Sequence, residues 1–140
     1  MTSFKVIKQK SIESSRKGEF TFFDEKEIVG KINSLKLEEK PIVLFMPSDN
    51  YWVLLTDQSI IFKRESQIKK IMYSKLKNKE CYYHMYKNYE FNKKEILCDH
   101  IILNRKSIFA KSVILPIEIL SVFSFSQPIN LMVSNKKHYA

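Results

Sequence analysis

Between residues 41 and 115 the sequence is a series of short apolar runs separated by turn-forming residues, and this spacing constrains the fold most strongly. The runs are rich in β-branched and aromatic residues, which favour strands. Connections such as Pro47-Ser48-Asp49-Asn50 and Asp57-Gln58 are too short for a helical crossover. The sequence therefore predicts an antiparallel meander at the centre of the domain.

The apolar runs set the predicted strands. We expect them at residues 41–46, 51–56, 59–64, 67–74, 81–91, 96–104 and 107–115. The four residues Leu54, Ile61, Phe62 and Ile71 are expected in the core of one bent sheet.

A helix is predicted over residues 24–37, ahead of the first of these strands. Asp24 is a suitable N-cap, and acidic residues follow it in the positive first turn. Apolar residues then recur on one helical face, at Ile28, Val29, Ile32 and Leu35. Residues 116–125 fit a second helix that begins at Pro116, or else a further strand.

The ends of the chain are polar, and we expect a single domain between them. Residues 1–23 are predicted to be an arm, 24–135 one β domain, with 129–133 extended, and 136–140 a tail. The predicted class is α+β, mainly antiparallel β. It would be a bent sheet or a small barrel with an N-terminal helix, and a C-terminal helix if residues 116–125 are helical.

Length and composition indicate one globular domain. A chain of 140 residues with 44% hydrophobic and 28% charged residues can bury one core. No apolar run approaches the ~20 residues of a membrane span, and no signal-peptide pattern is visible at the start. Cys81 and Cys98 are too few for a disulfide framework. We therefore expect a cytoplasmic protein.

The net charge of +9 comes almost entirely from lysine, since Arg16, Arg64 and Arg105 are the only arginines. Arginine dominates base-edge and bidentate phosphate recognition. The lysines are also spread along the whole chain rather than clustered. This pattern favours a solvated lysine surface over a dedicated polyanion site.

Residues 39–76 carry a family resemblance. The runs Leu54-Leu55-Thr56, Ile60-Ile61-Phe62 and Ile71-Met72-Tyr73-Ser74-Lys75-Leu76 form a strand ending in Leu-Thr, a return strand ending in Phe and a third apolar strand. With residues 39–44 before them, they resemble bacterial pleckstrin-homology-like domains and the related GRAM-type modules. The resemblance implies a strongly bent sheet or small barrel plugged by a helix, which acts as a binding scaffold without an active site.

The chain departs from this family in the loop after the first strand. Phosphoinositide-binding members carry basic residues there, whereas this chain has Pro47-Ser48-Asp49-Asn50. Binding of a lipid headgroup in that loop is therefore not expected.

Residues that could support chemistry are few. Cys81 and His84, with Cys98 and His100, include the ligand types of a zinc site, but Cys81 and His84 would point to opposite faces of a strand. Cys98, Asp99 and His100 include the residues of a catalytic thiol, but neighbours on a strand diverge. We predict no metal, no cofactor and no enzymatic activity.

The most unusual stretch is CYYHMYKNYEF, residues 81–91. As a strand it would carry aromatic side chains on both faces, and aliphatic residues elsewhere suffice for the core. We therefore expect either Tyr82 or Tyr83, and either Tyr86 or Tyr89, to be more than about a third exposed. The predicted partner-binding residues are Tyr82, Tyr83, Tyr86, Tyr89, Lys79 and Lys87.

Three functions fit these observations. The first is a non-catalytic module that recognises a protein or peptide, or a second copy of the chain, through the tyrosines. The second is a bacterial cytosolic immunity protein that neutralises a cognate toxin, since such proteins are similar in size and lack chemistry of their own. The third is nucleic-acid binding, with lysines on phosphates and tyrosines on bases, which the sequence favours least.

Overall fold

The computed structural model describes residues 3–13, 18–77 and 81–139, with side chains described through residue 133. Within them the chain forms two antiparallel sheets and three α-helices, and the strands do not close into a barrel. The predicted α+β class, mainly antiparallel β, is confirmed. The elements are α1 (Phe4–Glu13), β1 (Thr21–Phe22), α2 (Glu25–Lys31), β2 (Pro41–Phe45), β3 (Trp52–Thr56), β4 (Ser59–Arg64), β5 (Gln67–Met72), β6 (Tyr82–Phe91), β7 (Lys94–Leu103), β8 (Val113–Glu118) and α3 (Val122–Tyr139).

The first sheet is a meander in the order β1-β2-β3-β4-β5, as the short connections predict. Glu65 and Ser66 form a two-residue turn between β4 and β5, and both have positive φ, 51° and 67°. This backbone is typical of the hairpin turns whose twist matches the flanking strands.

Both faces of the first sheet are buried, each in a separate cluster. One face carries Leu54 and Ile61, which are paired across β3 and β4 and pack with Ile28 and Ile32 from the region of α2. The other face, which includes Phe62 and Ile71, packs into the larger core shared with the second sheet. All four predicted core residues are buried, and all belong to one sheet.

The second sheet has the order β6-β7-β8, and α1 and α3 pack against each other beside it. The Ser11 hydroxyl donates to the Ser124 carbonyl at 2.7 Å, and the Ser124 hydroxyl donates to the Ser11 carbonyl at 2.6 Å. Small side chains allow the two helices to approach closely enough for this reciprocal pair.

The N-terminal part differs from its prediction as an arm. Residues 4–13 form α1, in which Ile7 and Ser11 are buried. The Lys8 ammonium donates to the carbonyls of Phe23 and, at 2.6 Å, Ile42. The four residues between Ile7 and Ile12 are all polar, so the contact face of this helix could not be recognised without the opposing α3.

The helix predicted over residues 24–37 is shorter than expected. Asp24 is its N-cap, as predicted, and accepts a hydrogen bond from the Glu27 amide at 3.0 Å. The helix ends at Lys31, because Ile32 has a non-helical backbone with φ −115° and ψ 37°. Asn33 and Ser34 follow and favour turns over helix interiors.

The C-terminal third departs most from prediction. The strand expected at 107–115 begins only at Val113, and Pro116 lies inside β8 rather than at a helix start. Residues 129–133, predicted to be extended, and 136–139, predicted to be a tail, belong to α3. Buried apolar residues at helical spacing explain the helix, namely Val122, Phe125, Ile129 and Val133.

In the part of the chain that the structure describes, no helix is both long and apolar enough to cross a membrane.

Candidate partner-binding surface

Strand β6 is the edge of the second sheet and contains an irregularity at its centre. Tyr83 pairs with His100 and Lys87 pairs with Cys98, so the three residues His84, Met85 and Tyr86 lie opposite Asp99 alone. A bulge of this kind breaks the ladder and redirects side chains at a sheet edge.

The carboxylate of Asp99 holds the bulge in place. Its Oδ1 accepts hydrogen bonds from the backbone amides of Met85 at 3.2 Å and His100 at 2.8 Å, and its Oδ2 lies 3.3 Å from His84 Nδ1. Asp99 itself is 1% exposed. Because a buried carboxylate satisfies backbone donors at the bulge, we infer that the neighbouring side chains are presented by an ordered backbone.

Aromatic side chains form a continuous row across this region. The Tyr82 ring lies edge-on to Phe123 of α3 at 5.1 Å and to His84 at 4.7 Å, and His84 lies 5.9 Å from Tyr86. We call these four residues, Phe123, Tyr82, His84 and Tyr86, the aromatic row.

The exposure predicted for the tyrosines is confirmed for one member of each pair. Tyr83 is 45% exposed and Tyr86 is 60% exposed. Met85 and Phe123 are also exposed by more than a third, at 38% and 39%. Large apolar side chains exposed on an edge strand are typical of a contact site.

Tyr82 and Tyr89 are half-buried. Unlike the exposed rings, Tyr89 makes contacts inside the domain. Its hydroxyl lies 2.6 Å from Nε2 of buried His100, and its ring stacks on Phe91. Burial lowers the pKa of His100 and raises the pKa of Tyr89. Both shifts favour the neutral forms of the two side chains at neutral pH.

The remaining predicted site residues are the two lysines. The Lys87 ammonium lies 5.3 Å from the centre of the Tyr89 ring, so it borders the aromatic residues as expected. Lys79 lies outside the described residues. Phe123 is a surface residue that the sequence analysis missed, because its proximity to Tyr82 depends on how α3 packs.

The two cysteines lie in separate buried environments. Cys81 donates to the Ser126 carbonyl at 3.0 Å, and Cys98 lies fully buried with its thiol 3.7 Å from the Ile96 carbonyl. Burial, together with the charge of Glu118, raises the pKa of the Cys98 thiol to about 12. Among the described residues, no group of three or more His, Cys, Asp or Glu side chains is arranged to hold a metal ion.

We expect the Cys98 thiol to be unreactive towards a disulfide reagent at pH 8 in the folded protein, because the thiolate is the reactive form. A C81S variant isolates this thiol, and absorbance at 412 nm or intact mass follows the reaction. Unfolding in denaturant is the control and should release one equivalent. Rapid labelling of the native variant would contradict the burial described here.

The fold and this surface define a class: an α+β domain of two antiparallel sheets with exposed aromatic side chains on an edge strand. Comparison with protein-family models, with curated protein sequences and with solved structures finds no match to this chain.

Proposed function

We propose that this protein is a non-catalytic binding module that recognises a protein or peptide partner through the bulged part of β6. The observation that carries the proposal is the exposure of Tyr83, Met85 and Tyr86 on a backbone held by Asp99. Tyrosine and methionine are enriched in the buried centres of protein–protein interfaces.

The geometry favours recognition by side chains over addition of a strand. A partner strand needs an unbroken row of backbone groups, and the bulge interrupts that row between Tyr83 and Lys87. The aromatic row supplies rigid rings that lose little conformational entropy on binding. One member of the row, Phe123, belongs to α3 and contacts Tyr82, so the proposed surface extends from the edge strand onto α3.

The resemblance to pleckstrin-homology-like domains supports a scaffold role. Helix α3 contributes Phe125 and Ile129 to the core that the two sheets share, which agrees with the helix-plugged sheet that the resemblance implies. The sheets remain separate rather than closing into a barrel. A cognate toxin would be one partner of the proposed class.

The proposal is tested with a Y83S/Y86S double variant, using a partner captured from the native organism and then purified. We expect the binding free energy to become less favourable by roughly 2 kcal/mol or more, because central tyrosines dominate interface energies. The melting temperature should stay nearly unchanged, since both rings are exposed. Calorimetric titration measures the first quantity and circular dichroism the second.

A Y89S variant is the matched control. Its ring packs against Phe91 and its hydroxyl meets buried His100, so this variant should lose thermal stability. Unchanged affinity in the Y83S/Y86S variant would reject the surface, and a large drop in its melting temperature would show that the two rings belong to the core.

A further inference from the structure

A second apolar feature lies on the loop between β7 and β8, away from the bulged part of β6 in sequence. Ile108 is 87% exposed and Phe109 is 92% exposed, so two large apolar side chains extend almost fully into solvent at the tip of a turn. Exposure this complete leaves these side chains without packing in the described structure, and a contact outside the chain would remove them from water.

The loop is an ordered structure that presents these side chains. At its base the Arg105 guanidinium donates to the Lys111 carbonyl at 3.0 Å, and the Ser112 hydroxyl donates to Asn104 Oδ1 at 2.5 Å. At its tip the amides of Phe109 and Ala110 donate to the Ser107 hydroxyl and carbonyl, at 3.3 and 3.2 Å. These bonds hold the turn on which Ile108 and Phe109 are exposed.

Basic residues border the tip in the sequence, and carboxylates are absent from the sequence that forms it. Residues 104–112 contain no Asp or Glu. Two backbone bonds attach the neighbouring segment to the base of the loop, Lys106 amide to Lys75 carbonyl at 2.9 Å and Lys77 amide to Asn104 carbonyl at 2.8 Å. The resulting set, which we call the basic collar, is Lys75, Lys77, Arg105, Lys106 and Lys111.

We propose that this loop docks the protein on an anionic lipid bilayer, with Ile108 and Phe109 inserted among the headgroups and the basic collar on the lipid phosphates. An apolar tip combined with surrounding cations is complementary to such a surface, because insertion and charge attraction act together. An apolar groove on a protein would also accept the two apolar side chains, but it would not require the positive charges of the basic collar. This surface shares no residue with the one proposed on β6, and it differs from the 47–50 loop, which lacks cations.

The test measures cosedimentation of the full chain with vesicles. We expect binding to vesicles of phosphatidylcholine with about 30% phosphatidylserine to exceed binding to pure phosphatidylcholine by about tenfold or more. Binding should weaken with added salt, since charge attraction is screened. An I108S/F109S variant should lose about tenfold or more in partition coefficient, and a K106A/K111A variant should lose about tenfold.

The Y83S/Y86S variant is the matched control and should bind vesicles as the unchanged chain does. Insertion is read directly in an F109W variant, because the native Trp52 is only 4% exposed and cannot reach lipid from the folded core. Its emission should shift to shorter wavelength on anionic vesicles and be quenched by brominated lipid. Absence of binding, equal binding by the I108S/F109S variant, or binding without quenching would each overturn the proposal.

Discussion

Replacing Leu54, Ile61, Phe62 or Ile71 with alanine is expected to lower the free energy of unfolding by about 2–5 kcal/mol in each case. Each side chain is at most 8% exposed, so truncation loses the transfer free energy and leaves a cavity as well. Chemical denaturation followed by the fluorescence of buried Trp52 measures the effect. Changes below ~0.5 kcal/mol at all four positions would show that the register is wrong.

The two faces of the first sheet sharpen this prediction. Leu54 and Ile61 are direct cross-strand partners on the α2 side, so the double variant should deviate from additivity by about 0.5 kcal/mol or more. Leu54 and Ile71 belong to different clusters and lie two strands apart, so their effects should add within about 0.5 kcal/mol. Strong coupling between Leu54 and Ile71 would contradict the separation of the two cores.

The only two glycines of the chain are expected to respond to alanine with opposite signs. At Gly18 an added Cβ would lie 2.1 Å from Glu118 Cδ, so the G18A variant must displace the Glu118 side chain. That carboxylate accepts hydrogen bonds from the Phe20 amide at 2.9 Å and the Thr21 hydroxyl at 2.6 Å. We expect a loss of about 2–4 kcal/mol in the free energy of unfolding.

Gly30 is the matched control for this substitution. It lies on the exposed side of α2, its φ is not positive, and an added Cβ would meet nothing within 4 Å. The G30A variant should therefore gain about 0.5–1 kcal/mol, because alanine loses less backbone entropy in a helix. Denaturant titration of both variants gives the comparison, and equal destabilisation would show that the contact between Gly18 and Glu118 is wrongly placed.

The Glu118 carboxylate also explains how the N-terminal segment is attached. Burial raises the pKa of Glu118, and the Thr21 hydroxyl and Phe20 amide partly offset that rise. The charged form of Glu118 is thus less favourable in the folded chain than in the unfolded chain. The protonated carboxyl therefore contributes to folding stability, and this contribution is complete below the unfolded pKa. It is lost as the pH rises through the higher folded pKa. The hydrogen bonds connect Phe20 and the start of β1 to the end of β8.

The meander was predictable because its information is local. Two-residue turns at 65–66 and 92–93 separate strands whose apolar residues identify them without reference to the rest of the chain. Asp24 was recognisable as an N-cap for the same reason, since the bond it makes reaches only three residues along the chain. The exposed tyrosines followed from a surplus of aromatic residues, which composition alone indicates.

The helical ends were not predictable from local pattern. Interleaved serines and Pro128 hide the helical spacing of α3, yet Ser124 is the residue that contacts Ser11 of α1. Neither serine signals a buried helix by itself, because a hydroxyl is buried only when a partner satisfies it. Local pattern also failed around Ile108, where residues that favour strands form the tip of a loop.

The sequence by itself determined the antiparallel class, the strand positions from 41 to 103 within a few residues, and the presence of an aromatic segment at 81–91. Only the tertiary structure decided that β6 is an edge with a bulge held by Asp99, that Phe123 extends its aromatic row, and that Ile108 and Phe109 are almost fully exposed on the loop between β7 and β8. Strand formation depends on neighbours along the chain. Exposure depends on what packs against a residue from distant parts of the chain, and local pattern does not contain that information.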